Sequence, residues 1–357
     1  MTATNVVAAV AAEPGVDAHR LGGRLREAFR SPRLVAGTAI VGFFLLLGII
    51  GPVFVTNPNQ LSRTELAPPS LAHWLGTTQI GQDVFEQLVI STRASLAIGI
   101  GAGLLATVVS IVIGISGGYA GGFLDEALSL LSNVVLVIPT LPLVIVIIAD
   151  VKSNGLGPLI VVIALTSWAA SARVLRAQTL SVRNREYVLA ARAAGERAWR
   201  IVFVEILPNE LPIIVSNFIF ATIFAILTQA ALAFIGLGDP TLLTWGNMLN
   251  LAYNDQALSV GAWWWFIPPG LCIALLGMGL ALINFSLDEL LNPRLRVYRP
   301  SRSGRPGPGG PGPGGPGPGG PGPGGPGPGG PGPGGPGPGG LGPGGLGPGG
   351  PGGARDE

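Results

Sequence analysis

The chain of 357 residues has a mean hydropathy of +0.54, 11% charged side chains and a formal net charge of +2. These averages are diluted by its end: from Pro306 the sequence runs as seven PGPGG pentads, two LGPGG pentads and a short close, which together hold 17 of the 33 prolines and 29 of the 57 glycines. Without that segment the body is far more apolar than a soluble domain. The segment itself has almost nothing to bury and is expected to be disordered, and its period of five excludes a collagen helix.

Rare residue types exclude further chemistries. One cysteine, Cys272, allows neither an internal disulfide nor a thiolate metal cluster. The single lysine, Lys152, follows Val151, so no phosphate-cradling glycine loop is present. The two histidines, His19 and His73, fall on opposite sides of the first apolar run and cannot share an ion.

In chain order, residues 1–33 form a basic leading segment, followed by uncharged runs at Leu34–Val55, Ser95–Gly117, Ala127–Ala149, Gly157–Ala172, Leu211–Gly236 and Ala262–Leu287. A helix of about 20 apolar residues crosses a hydrocarbon core of about 30 Å, so these predict six membrane spans, the fourth extending past Arg173. The first run is too long for a signal-peptide core and has no small-x-small cleavage site after it. Arginines cluster in three regions that a six-span model places on one side: Arg20, Arg24, Arg26, Arg30 and Arg33; seven from Arg173 to Arg200; and Arg294, Arg296, Arg299, Arg302 and Arg305. The opposite loops hold few bases, so both termini are expected to be cytoplasmic in a multi-pass protein of the plasma or inner membrane. The loop at Gly118–Glu126 is the exception, assigned to the inner side with no basic residue of its own.

No His, Lys, Asp or Glu lies within the six runs, which argues against an intramembrane protease and an ion-coupled carrier. Asn217, Thr228, Gln229 and Asn284 are the polar groups left inside, and Asn217, Thr228 and Gln229 are candidates for a translocation path. Gly117, Gly118, Gly121 and Gly122 read as close-packing positions. The chain is expected to be non-catalytic, with no metal or cofactor of its own.

The longest polar stretch between spans, 177–210, looks ordered. Glu186 to Ala194 are helix formers, Ala190, Ala191, Ala193 and Ala194 keep one surface flat, and Gly195 breaks the run. Beyond it Trp199, Val202, Phe203 and Ile206 recur at helical spacing, with Arg192, Glu196, Arg197 and Arg200 polar. Two short helices meeting near a glycine are predicted, ended by Pro208 and restarted near Pro212. Physics alone leaves two readings open: an interfacial loop whose arginines meet anionic lipid, or a protein docking site.

Ala190, Ala191, Gly195, Ile206, Leu207 and Pro208 match the cytoplasmic loop of permease subunits in ABC importers, whose pattern is Glu-Ala-Ala, three residues, Gly, and later Ile-Leu-Pro. The family's glutamate falls on Leu189. "HWLGTTQIGQDVF", "GGYAGGFLDEAL", "REYVLAARAAG", "AFIGLG", "WGNML" and "NPRLR" also resemble, in order and spacing, the C-subunit type of the dipeptide, oligopeptide and nickel permease family, over roughly residues 30–298. The resemblance implies an all-α integral membrane protein of the type I ABC importer permease fold, with a permease domain at 34–298 and a tail at 299–357. It implies half of a translocation path, paired with a second permease subunit, usually a different one. It implies one or two cytoplasmic ATPase subunits, which bind ATP and magnesium, and an extracellular solute-binding protein. Ala190, Ala191, Arg192, Gly195, Glu196, Arg197, Trp199, Ile206, Leu207 and Pro208 would form the ATPase-coupling loop. Peptides are the implied cargo, with oligosaccharides or nickel complexes as alternatives on the same machinery. A self-sufficient channel or carrier is the alternative of another class, and an anchor displaying the tail is a third.

Overall fold

The computed structural model describes residues 31–55, 57–150 and 155–291, with side chains to Glu289. The chain divides into two units, Met1–Arg299 and Pro300–Glu357, and all described residues lie in the first. The leading arginines before Ser31, Lys152, the arginines from Arg294 onward and the repeat tail lie outside the described residues.

Most of the described residues are helical; 57–83 form turns with two isolated antiparallel bridges, Leu61 to Gln82 and Thr77 to Asp83. The helices are α1 (Pro32–Phe54), α2 (Val84–Ala120), α3 (Gly122–Val137), α4 (Thr140–Asp150), α5 (Leu156–Val182), α6 (Glu186–Ala193), α7 (Ala198–Phe234), α8 (Trp245–Asn254) and α9 (Trp263–Leu291). Five of these are long and apolar enough to cross a membrane, and a sixth crossing results if α3 and α4 count together. The chain is therefore a multi-pass membrane protein.

Local chemistry sets the starts. Ser31 caps α1 by accepting the Leu34 amide at 3.2 Å, with Pro32 supplying a fixed φ in the first turn. Asp83 caps α2 by accepting the Phe85 and Glu86 amides at 2.8 and 3.1 Å, while its other oxygen meets His73 Nδ1 at 2.7 Å. The second span thus begins eleven residues before Ser95. Its 37 residues measure about 55 Å, so α2 must project beyond the hydrocarbon.

Two expected elements are corrected. The third run is not one helix: Ile138 is extended ahead of Pro139, and α3 and α4 meet at 87°. Hydropathy stays high across that break, which is why composition alone does not register it. The fifth run does not begin at Leu211, because α7 already starts at Ala198 and passes through Pro208 and Pro212. A π-turn over Ile201–Ile206 carries it: the Leu207 amide reaches back five residues to the Val202 carbonyl, and this wider register accommodates a proline ring. Asn209 Nδ2 donates to the Glu205 carbonyl at 2.6 Å beside it.

α2 is the central element, packed along α5 and α7. Its glycines make this possible. Gly99 and Gly103 meet Ile226 and Thr222 of α7, while a Cβ on Gly114 would stand 2.5 Å from the Ala172 carbonyl of α5 and one on Gly118 2.8 Å from Thr179 Cβ. The grouping of Gly117, Gly118, Gly121 and Gly122 as packing positions holds for Gly118 alone. A Cβ on Gly117 meets nothing nearer than 3.4 Å, and Gly121 (φ +70°) and Gly122 (φ +58°) form the left-handed turn into α3.

That turn also resolves the loop without a base. Arg183 of α5 donates to the Gly118 carbonyl at 2.8 Å, and Arg176 grips Asp125 of α3 through Nε and Nη2, the latter at 2.8 Å. The positive charge at this corner comes from a helix distant in sequence.

Candidate functional site

The site is the connection from α5 to α7. Its helix α6 covers eight residues, with Glu186 in the first turn and Arg192 in the last, both favourable to the helix dipole. Gly195, at φ +78°, ends it: the Gly195 amide donates to the Arg192 carbonyl at 3.0 Å and the Glu196 amide to the Ala191 carbonyl at 3.1 Å. This double bond pattern is a Schellman motif, so the glycine fixes a helix end and does not act as a loose hinge. Space around Gly195 is open, so another residue there strains the backbone without a clash, at about 1–2 kcal/mol.

α6 is fastened to the bundle. Val188, Ile201 and Ile206 are fully buried in one apolar cluster with Ile115 of α2 and Leu175 and Val182 of α5. Burial of each contributes about 1.5–3 kcal/mol relative to exposure. The Arg192 guanidinium lies 4.7 Å above the Tyr119 ring, joining α6 to the end of α2. These contacts tie α6 to α2, α5 and α7 together.

The opposite face is open. Ala190 and Ala194 are exposed, Ala191 is half-buried, and with Ile201, Val204 and Glu205 they line a groove of about 280 Å³ between α6 and the π-turn. The expected stripe of Trp199, Val202, Phe203 and Ile206 is divided. The π-turn puts Ile201 and Ile206, five residues apart, on the buried side, and leaves Trp199 (60% exposed) and Phe203 (62%) outside. Leu207 is half-buried and Pro208 exposed. The second short helix is likewise absent as a separate unit, since it is the first part of α7. Glu196 is held by Arg200 at 2.7 Å. Arg197 and Glu186 make no side-chain hydrogen bond among the described residues, and Leu189 is half exposed.

The three path candidates do not converge. Asn217 is half-buried, with a sealed Nδ2 that has no partner. Thr228 and Gln229 are buried about eleven residues further along α7, roughly 17 Å away. Gln229 Nε2 donates at 3.0 Å to Oγ1 of Thr244, the residue that caps α8. His73, paired with Asp83, serves the segment before α2.

One residue was missed. Glu210 is a fully buried carboxyl on α7, contrary to the expectation that the spans hold none; its Oε1 lies 2.8 Å from Thr179 Oγ1. Reading Pro208 as a terminator assigned Glu210 to a polar loop.

Residues 106–297 match the family model described as binding-protein-dependent transport system inner membrane component. The oligopeptide transport system permease protein OppC of Bacillus subtilis (strain 168) is 32% identical over 75% of this chain and 88% of its own length. The dipeptide transport system permease protein DppC of the same organism is 32% identical over 73% of this chain and 82% of its own. The glutathione transport system permease protein GsiD of Pectobacterium atrosepticum is 34% identical over 64% of this chain and 75% of its own. With this match spanning α2 to α9, and with the fastened helix and open groove of α6 lying inside it, the chain belongs to the family of inner membrane components of binding-protein-dependent transport systems.

Proposed function

We propose that this chain is one permease subunit of an ATP-driven importer of peptides, and that α6 is the handle by which an ATPase subunit moves it. The observation that carries the reading is the two-sided construction of α6: Val188 and its cluster hold one face to three membrane helices, while Ala190, Ala194 and Leu189 present the other. Trp199 and Phe203 are exposed apolar side chains beside the groove, suited to anchoring a partner at its rim. Leu189 stands where related permeases carry an acid and Glu196 is committed to Arg200, so Glu186 on α6 and Glu205 in the groove are the carboxylates left to meet the ATPase.

In this reading both termini and α6 are cytoplasmic. A second permease subunit completes the path, a solute-binding protein delivers cargo from outside, and ATP with magnesium is bound by the partner ATPase. Peptides are favoured because relatives over most of the chain are named for oligopeptide, dipeptide and glutathione transport. This chain supplies geometry and no chemistry of its own.

The test is purification in mild detergent, followed by reconstitution with the subunits that copurify. Recovery of an ATPase and a second permease, with ATP-dependent accumulation of a labelled peptide, supports the proposal. Transport by this chain alone in liposomes would replace it with a self-sufficient carrier.

A further inference from the structure

Glu210 is the only acidic or basic residue among the described residues with no exposed surface. It sits where three helices meet: Thr179 of α5 is pressed against Gly118 of α2 and reaches Glu210 of α7. Thr179 Oγ1 lies 2.8 Å from Glu210 Oε1 and also 2.9 Å from the Leu175 carbonyl oxygen. A hydroxyl has one proton to give, and an ionised carboxylate and a carbonyl both only accept. With Glu210 ionised, that one proton must be split between two acceptors in a weakened three-centre bond, as at Ser110 between the Ala106 and Trp168 carbonyls, or one contact sets oxygen lone pairs against each other. With a proton on Oε1 both contacts become hydrogen bonds, Glu210 donating to Thr179 and Thr179 donating to Leu175. Oε2 is sealed without a partner, which a neutral carbonyl oxygen tolerates far better than half of an unpaired anion.

The surroundings supply no counter-charge. On α5, Arg176 is taken by Asp125 and Arg173 is exposed; just past its end, Arg183 is taken by the Gly118 carbonyl and Arg185, near Tyr187, is exposed, and neither Arg173 nor Arg185 bridges to Glu210. α2 has no charged side chain after Arg93, and α8 has none. α9 offers Asp288, which accepts from Ser216 at 3.2 Å; the π-turn offers Glu205; and α6 offers the Tyr187 phenol, which burial pushes above its usual range and so keeps neutral.

We propose that Glu210 is a proton-binding site built into the crossing of α5 and α7, occupied while the crossing is closed and emptied to solvent water when α7 parts from α5. The closed crossing then holds one more proton than the open one. By linkage, lower pH favours closure, and the ratio of closed to open falls by up to about tenfold per pH unit as pH rises through the closed-state titration. The consequence for transport rests on the permease reading above, whereas occupancy by a proton does not.

Two measurements test it on the full chain. Infrared difference spectra through a pH titration should show, at neutral pH, a carboxylic-acid C=O band that Glu210→Gln removes; absence of any band sensitive to Glu210→Gln overturns the proposal. If Glu210→Gln does not assemble, Thr179→Val deletes the acceptor and keeps the acid, so the band should move to the frequency of a less hydrogen-bonded acid; an unmoved band is a refutation. In the reconstituted transporter, uptake by the unsubstituted chain should vary with pH on the α6 side, up to about tenfold per unit, and Glu210→Gln should flatten that variation. A Glu210→Gln profile identical to the unsubstituted one overturns the proposal. Failure of the unsubstituted chain to support uptake counts against the permease reading, and the infrared result then decides the proton.

Discussion

Neighbouring glycines of α2 provide a controlled comparison. Gly→Ala inside a helix gains about 1 kcal/mol in propensity when the added methyl has room. At Gly117 it has room, since the nearest atom, Asp125 Oδ1, stands 3.4 Å away. At Gly118 the methyl would stand 2.8 Å from Thr179 Cβ and 3.0 Å from the Arg176 carbonyl oxygen, so α2 and α5 must separate, at about 1–3 kcal/mol. Gly117→Ala is therefore expected to stabilise slightly and Gly118→Ala to lose the propensity gain to crowding, leaving the two variants about 1–3 kcal/mol apart. In a body of this size that is a difference of several degrees, roughly 2–4 °C per kcal/mol. Fluorescence-detected thermal unfolding of the purified complex in one detergent reads it directly. Equal midpoints for the two variants would refute the packing of α2 on α5.

Three further outcomes follow from named contacts. Asp125→Asn and Arg176→Gln should each lower stability by about 1–3 kcal/mol, and the double variant should cost less than their sum, since both remove one charge-assisted contact; additivity in unfolding midpoints would show the contact to be unimportant. Trp199→Ala should leave thermal stability within about 0.5 kcal/mol while weakening ATPase association by more than about 1 kcal/mol, read by titration of the ATPase subunit; a change in stability alone would make Trp199 a membrane-interface residue. Val188→Asp should free α6 from its cluster, so that ATP hydrolysis persists while peptide uptake collapses; proportionate loss of both would deny α6 the part of a transmitting lever.

The features legible in the sequence were those written in composition and local chemistry. Apolar runs located the membrane helices, and helix formers followed by Gly195 located α6 almost to the residue. What stayed hidden depends on atoms brought from elsewhere in the chain. Pro139 breaks a run whose hydropathy is unchanged, whereas Pro208 and Pro212, equally proline, do not break α7 because the π-turn ahead of them alters the register. The same turn divides the Trp199 to Ile206 stripe, which regular 3.6-residue spacing treats as one face. The basic residues absent from Gly118–Glu126 arrive from α5 as Arg176 and Arg183, and the carboxyl absent from the apolar runs stands one residue before the fifth, at Glu210. In each case burial or charge at a position is set by tertiary contact, to which a window along the chain is blind.

On the proposed reading, α6 is held to the bundle on one face and to an ATPase on the other. Because Cys272 is the only cysteine, Cys272→Ser combined with Ala194→Cys gives a single thiol at the groove. A thiol-anchored photocrosslinker there, irradiated in the assembled transporter during turnover, should capture the ATPase subunit, and the yield should change between ATP-bound and nucleotide-free states. Capture of lipid alone, or a yield indifferent to nucleotide with transport intact, would contradict the claim.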